Sequence, residues 1–165
     1  MEWRTHPALA GKLHPNHPDD IQVIIHDGGR RMTSAHPELA WVSITGVAGD
    51  IFSGRVIIAP TQLETVRINQ SIRFIATGTG QPVMVSEKYL KERGSWLIHG
   101  CSKCGFAELF DAPSDLIKVI FPALPADAAL ETFTSFCPLC DGVQAIASRN
   151  APPPDSERPW WKLWG

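Results

Sequence analysis

The sequence predicts an α+β protein that is mainly β: a small, strongly bent sheet or barrel of about five strands, followed by a second unit with an inserted short helix. Apolar residues alternate with polar ones in five short segments, spaced roughly ten residues apart and separated by glycine-containing turns. Two Cys-x-x-Cys turns, each flanked by strand-like residues, lie beyond these segments. A flat sheet covered by one helix is the alternative, because periodicity does not distinguish it from a barrel.

The composition indicates a globular protein and excludes several functional classes. The chain has 165 residues, of which 44% are hydrophobic, and this length is sufficient to bury a core. Fifteen Lys and Arg against seventeen Asp and Glu leave no basic field, which argues against nucleic-acid coating. Four cysteines are too few for a secreted disulfide scaffold, and no apolar run is long enough to cross a bilayer. We therefore expect a cytoplasmic protein whose thiols are reduced or bound to metal.

The chain divides into four parts by composition. Residues 1–18 are rich in proline and histidine and are expected to form a flexible arm. Residues 19–94 are expected to form the small β-rich domain, and residues 95–147 contain all four cysteines. Residues 148–165 combine a proline-rich linker with a tryptophan-rich tail.

Each element of the β-rich domain follows from local pattern. The predicted strands are 21–25, 39–45, 52–58, 72–76 and 83–85. Ile58 is assigned to the buried face of the third strand, and Gly54 within that strand suggests a bulge or sharp bend. Ser86 is expected to cap a short helix that continues to Arg93 and ends at Gly94.

Part of this domain resembles a known family. The stretch 41–96 begins with the tryptophan of one strand, contains a Gly-Asp-x-x-x-Gly segment at 49–54, a loop proline at Pro60 and the strand residues 72–74, and ends at Trp96. This arrangement looks like the YegJ-related bacterial domain of unknown function, and it covers about a third of the chain. The resemblance implies a small α+β or barrel-like domain and carries no catalytic residues.

The two Cys-x-x-Cys turns are the most specific motif in the sequence. Cys101 and Cys104 form the first turn, Cys137 and Cys140 form the second, and the 32 residues 105–136 separate them. Such turns point two sulfurs in the same direction, and two of them supply the four thiolates of a closed tetrahedral zinc site. We expect one structural zinc per chain.

The flanking residues predict the frame around this site. Residues 96–99 and 106–110 read as one hairpin, and residues 132–136 and 143–146 as another, so that about 95–147 resembles a zinc ribbon. Gly105 and Gly142 are expected in the left-handed backbone conformation that such turns use.

Alternatives to zinc remain open at this site. The spacing exceeds the commoner 15 to 20 residues, and the insert at 111–121 fits either a capped helix or another strand. Iron binds the same four sulfurs, and two redox-active dithiols are a further alternative, although neither turn has the βαβ context of thioredoxin-like motifs. His99 is either a hydrogen-bond donor to a sulfur, an alternative ligand or an ordinary strand-end residue.

Other residues suggest further hypotheses. His26, Asp27 and His99 would form an enzyme site between the two subdomains if they converged in one pocket, but no nucleophile is placed beside them by sequence. His14 and His17 have ligand chemistry without a helical face to align them, so no metal site is assigned there.

The tail at 160–164 is the remaining feature. Trp160, Trp161 and Trp164 are candidate partner-docking residues, and the alternatives are a groove of the chain's own fold or a membrane interface. The sequence favours a non-enzymatic binding or adaptor protein with a structural zinc site made of four cysteines. A nucleic-acid or transcription-associated zinc ribbon, and a thiol redox protein or enzyme, are the alternative functions.

Overall fold

The computed structural model describes residues 2–76, 80–125 and 130–150. The first half forms a closed barrel of five strands. These are β1 (Asp20–Ile25), β2 (Glu38–Ala48), β3 (Ile51–Val56), β4 (Ser71–Ile75) and β5 (Val83–Val85). Neighbouring strands pair antiparallel, except that β1 and β5 pair parallel through Ile24 and Val83 and so close the barrel. The prediction of a mainly β fold is confirmed, and the closed barrel excludes the flat sheet.

Period-two alternation fills the barrel interior. Ile21, Val23 and Ile25 of β1 are fully buried, and Ala40, Val42 and Ile44 of β2 face the same core, as predicted. Ile58, in contrast, is 51% exposed, because β3 ends at Val56 before the chain reaches it. Its assignment to the buried face was wrong.

Gly54 has a different role from the one predicted. The irregularity in pairing lies on β2, between Ile44 and Gly46, opposite Gly54. A Cβ at Gly54 would lie 2.5 Å from Val42 Cγ1 and 2.9 Å from the carbonyl oxygen of Ser43. The glycine therefore allows β2 and β3 to approach closely, and the bulge is in the neighbouring strand.

Residues 2–18 pack against the barrel, contrary to the expected flexible arm. They contain two 3₁₀ helices, Glu2–Thr5 and Pro7–Leu9, and Leu9 is buried in the barrel core. Asp19 holds the segment by accepting hydrogen bonds from Trp3 Nε1 and Arg4, each at 2.8 Å. The prolines exclude long helices but are compatible with 3₁₀ turns.

The second half contains a three-stranded sheet and two short helices. The sheet has the order β6 (Trp96–Ile98), β8 (Val143–Ser148), β7 (Thr132–Phe136), and both pairings are antiparallel. Helix α1 (Glu87–Glu92) precedes the sheet and is capped by Ser86, whose Oγ accepts a hydrogen bond from Tyr89 N. Helix α2 (Pro113–Ile120) lies in the insert between the Cys-x-x-Cys turns, which resolves the choice between helix and strand.

The barrel and the second half share a hydrophobic core. Ile75 follows the inward-facing Phe74 in β4, so its side chain points away from the barrel interior. It packs in one cluster with Val85 of β5, with Leu109 of the irregular segment after the first Cys-x-x-Cys turn, and with residues of α1, α2 and the second sheet, namely Tyr89, Leu116, Phe133 and Ile146. The two halves therefore bury apolar surface against each other. Within the described residues, no helix is long and apolar enough to span a bilayer.

Candidate metal centre

The four cysteines converge at one end of the second half. Their sulfur atoms all lie within 4.8 Å of one another, and this cluster could hold a metal ion. Two close separations run between the two turns: Cys101 Sγ lies 3.4 Å from Cys140 Sγ, and Cys104 Sγ lies 3.6 Å from Cys137 Sγ. Four sulfurs at the usual zinc–sulfur distance of about 2.3 Å form a tetrahedron with edges of about 3.8 Å. The observed arrangement fits such a centre.

Backbone amides point at three of the four sulfurs. Cys101 Sγ accepts from Lys103 N at 3.3 Å, Cys137 Sγ from Leu139 N at 3.4 Å, and Cys140 Sγ from Gly142 N at 3.3 Å. These donors stabilise negative charge on sulfur, which is the protonation state that binds metals.

The thiols differ in their acidity. The backbone amide of Cys104 donates to Cys101 Sγ and lowers the pKa of Cys101 to about 6. Desolvation opposes this effect, and the backbone amide of Lys103 adds to it. Burial raises the pKa of Cys137 to about 12. A cation that displaces the protons would remove this difference, because every ligand thiol binds as thiolate.

A glycine is needed at position 142 because a larger residue would collide with sulfur atoms, and not because of its backbone conformation. Gly105 has φ +80°, as predicted for the residue after Cys104, but Gly142 is not in the left-handed region. A Cβ at Gly142 would instead lie 2.2 Å from Cys101 Sγ and 3.3 Å from Cys140 Sγ. The left-handed assignment of Gly142 was wrong, because a sequence does not reveal which sulfur approaches a glycine.

The frame around the cluster differs in part from two hairpins. The second predicted hairpin is present, with β7 and β8 paired and Cys137 N donating to the carbonyl oxygen of Gly142 at 2.8 Å. Residues 106–110 form no strand, and β6 pairs with β8 instead. The prediction of a strand over 106–110 was wrong.

Gln144 supports the irregular segment after the first turn, and the sequence analysis did not single it out. It is fully buried, and its Nε2 donates to the carbonyl oxygens of Phe106 at 2.7 Å and Glu108 at 2.9 Å. A side-chain amide thus replaces the strand partner that this segment lacks. The signal was a glutamine at an inward-facing position of β8, two residues before the buried Ile146.

The end of the second half that carries the sulfur cluster contacts the barrel directly. Cys101 and Cys137 belong to a hydrophobic cluster that includes Val83 of β5 and Phe110. Asp141, next to Cys140, accepts a hydrogen bond from Arg30 at 2.8 Å. The centre therefore lies at the junction of the two halves.

His26 and Asp27 lie at a cleft of about 540 Å³ between the halves, but neither is free to act as a base. His26 Nδ1 accepts from Gly28 N at 3.0 Å, which leaves Nε2 to donate to the carbonyl oxygen of Met84 at 2.8 Å. Burial lowers the pKa of His26 to about 4. The Asp27 carboxylate accepts from the amides of Glu64 and Thr65.

The other sequence-derived candidates lie elsewhere. His99 is exposed after β6, does not line the cleft and is not a member of the sulfur cluster. The three hypothetical enzyme residues therefore do not converge. Trp160, Trp161 and Trp164 lie outside the described residues.

Comparisons with known proteins found no relative. No protein-family model matches the sequence, and neither the curated proteins nor the solved structures contain a match.

Proposed function

We propose that this chain is a non-enzymatic binding or adaptor module whose second half is a zinc ribbon held by one structural zinc ion. Cys101, Cys104, Cys137 and Cys140 would be its ligands. The observation that carries the proposal is the approach of four sulfurs from two Cys-x-x-Cys turns to tetrahedral spacing, with amides directed at three of them. Four protein ligands leave no coordination position for an activated water, which supports a structural role.

The surroundings of the cluster support this role. Ser102 and Val143 exchange two hydrogen bonds, Ser102 N to the carbonyl oxygen of Val143 at 3.1 Å and Val143 N to Ser102 Oγ at 3.2 Å. This pair ties the first turn to the strand that follows the second. A bound ion would fix the same junction from the sulfur side, and the required thiolates are maintained in a reducing compartment such as the bacterial cytoplasm.

Two further parts of the proposal concern the rest of the chain. We propose that the stretch 41–96 belongs to a YegJ-related domain, which the small barrel built from much of this stretch supports. We also propose that the tail residues Trp160, Trp161 and Trp164 dock on a protein surface, because three indoles within five residues carry large apolar area.

Cobalt(II) substitution tests the zinc proposal. Purified metal-free protein titrated with cobalt(II) should develop the ligand-field and sulfur charge-transfer bands of a tetrahedral tetrathiolate at one equivalent, and zinc should abolish them. Cys104→Ser should lose this spectrum, whereas Lys103→Ala, in the same turn, should retain it, because the exposed side chain is removed and the backbone amide that donates to Cys101 Sγ remains. A spectrum unchanged by Cys104→Ser would contradict the four-cysteine site. Iron in the protein as isolated would show that the bound metal is iron and not zinc.

Nucleic-acid binding is the second candidate, favoured by one observation. Arg31 lies over the ring of Phe136, 4.9 Å from its centroid, and Phe136 is 49% exposed beside the sulfur cluster. Exposed aromatic and basic groups together bind single-stranded nucleic acid. Arg30, however, is paired with Asp141. Salt-dependent binding of a labelled oligonucleotide that is weakened by Phe136→Ser would favour this function over the adaptor role.

A thiol redox role is the third candidate. The close sulfur pairs join different Cys-x-x-Cys turns, whereas a thioredoxin-like dithiol forms its disulfide within one turn. Reversible formation of disulfides in the protein as isolated would favour this role over structural zinc.

A further inference from the structure

One face of the second sheet is exposed and carries no charged strand residue. Phe133, Gln144 and Ile146 point inward and are buried. The residues that alternate with them point outward and include Leu97, Thr132, Thr134, Phe136, Val143 and Ala145. We call this set the outer sheet face. Arg31, over the ring of Phe136, bounds one end of it.

The outer sheet face exposes large apolar side chains at both ends. Leu97 on β6 is 44% exposed, Phe136 on β7 is 49% exposed and Val143 on β8 is 44% exposed. Phe136 and Val143 are direct cross-strand partners, so they form a continuous apolar surface. A contiguous exposed patch of this kind marks an interaction site.

The chain itself supplies a segment that fits this surface. β8 is the central strand of the sheet and ends at Ser148, so that only Arg149 and Asn150 separate the strand from residues 151–165. Trp160 is ten residues beyond Asn150, and ten residues of extended chain span about 30 Å. A six-residue strand is only about 20 Å long. Every point of the outer sheet face is therefore within reach of the indoles.

We propose that the tail at 151–165 docks on the outer sheet face of its own chain, with Trp160, Trp161 and Trp164 covering Leu97, Ala145 and Val143. This inference rests on the docking role proposed for the tail and names the surface. Residues 159–165 carry one charged residue, Lys162, and so match a face without charged strand residues. Tethering gives the tail a millimolar effective concentration at the face, which favours this contact over binding to another molecule.

Fluorine NMR of the full chain labelled with 5-fluorotryptophan tests the docking. The three tail signals are assigned with Trp160→Phe, Trp161→Phe and Trp164→Phe. Their broadening by a soluble paramagnetic agent should be several-fold weaker than in the free peptide 151–165. Ala145→Lys, which places a charge at the centre of the face, should restore the broadening of the free peptide. Ile58→Lys, at an exposed apolar residue just beyond β3, should not.

Thr134→Lys, next to Ala145 on β7, provides a second test of the same face if Ala145→Lys fails to fold. Tail signals broadened as strongly as those of the free peptide would overturn the docking. Broadening that is unchanged by both Ala145→Lys and Thr134→Lys would also overturn it. Protection that disappears on dilution would also overturn it, because contact would then be between copies. Cobalt binding of the unmodified chain separates the two proposals: a tetrathiolate spectrum with an undocked tail refutes only the docking, and the absence of this spectrum refutes the zinc ribbon. Ala145→Lys should keep the tetrathiolate spectrum while its tail undocks.

Discussion

The imidazole ring of His26 and the phenyl ring of Phe110 lie parallel, with centroids 3.8 Å apart and an interplanar angle of 7°. His26 follows β1 of the barrel, and Phe110 belongs to the segment after the first Cys-x-x-Cys turn. The stack thus joins the barrel to the half that contains the four cysteines. Because burial lowers the pKa of His26 to about 4, its ring is neutral near neutral pH.

Acid should weaken the fold through His26. Above its unfolded pKa of about 6.5 the residue is neutral in both states and contributes no pH dependence. As the pH falls from about 6.5 to about 4, the unfolded chain takes up a proton that the folded chain does not. The free energy of unfolding should therefore decrease by at most about 3 kcal/mol.

Urea unfolding of wild type and His26→Gln across this pH range measures the effect. Release of metal by acid affects both proteins equally, so the difference between their pH profiles isolates the imidazole. Parallel profiles, or an imidazole that NMR shows to be protonated at neutral pH, would contradict the buried neutral histidine.

Gly142→Ala should damage the metal centre. Its methyl group would lie 2.2 Å from Cys101 Sγ, so one sulfur must leave its position. We expect a loss of at least tenfold in cobalt(II) affinity, equivalent to about 1.4 kcal/mol. Gly94→Ala is the matched control, because a Cβ there meets no atom within 4 Å and its φ is not positive. Equal cobalt affinity in the two variants would show that the sulfurs do not need this space.

Gly54→Ala should destabilise the barrel without affecting metal binding. The new methyl group would overlap Val42 Cγ1 and the carbonyl oxygen of Ser43, and backbone cannot move aside as a side chain can. We expect the free energy of unfolding to decrease by about 1–3 kcal/mol, the range for overpacked cores. Gly46→Ala, for which a Cβ finds open space, provides the control in the neighbouring strand. Denaturation midpoints of the two variants compare them directly.

Tyr89→Phe should weaken the core shared by the two halves. The Tyr89 hydroxyl donates to Glu108 and accepts from Leu109 N at 3.1 Å, and the residue is fully buried. Phenylalanine leaves the amide and the carboxylate without this partner, at a cost of about 1–3 kcal/mol. Chemical denaturation measures the cost, and an unchanged midpoint would mean that water replaces the hydroxyl.

The same tyrosine predicts behaviour in alkali. Burial, followed by the charge of Glu108, raises the pKa of Tyr89 above its usual value of about 10. The unfolded chain loses its phenolic proton first, so the stability contributed by this group declines as the pH rises above about 10. Tyr89 is the only tyrosine of the chain, and its ultraviolet absorbance should show ionisation together with unfolding. Ionisation of the folded protein would contradict the buried hydrogen bond.

The barrel could be predicted from the sequence because its core depends on local alternation. The two-residue spacing of Ala40, Val42 and Ile44 alone indicates that they share one face, and the glycine turns mark the ends of the strands. Parallel closure joins Ile24 and Val83, which are far apart in the sequence, and no local pattern carries that information. Leu9 was missed for the same reason, since its burial requires the barrel to be formed first.

In the candidate site, too, local spacing could be predicted from the sequence and contacts between distant residues could not. The four cysteines were identified because their chemistry lies in their spacing, and the structure brings their sulfurs together. Gly142 and Gln144 act through partners distant in sequence, respectively Cys101 and the carbonyl oxygens of Phe106 and Glu108. Their residue types suggested a turn glycine and a strand residue, and only the packing shows what each one contacts.

A structural zinc centre is tested by the metal content of untagged protein purified under reducing conditions without added metal, combined with titration of its thiols. We predict about one zinc per chain, with four thiols that react only after chelation, since zinc–sulfur bonds protect them. Metal-free protein whose four cysteines react at once, or form reversible disulfides, would contradict a structural metal centre at Cys101, Cys104, Cys137 and Cys140.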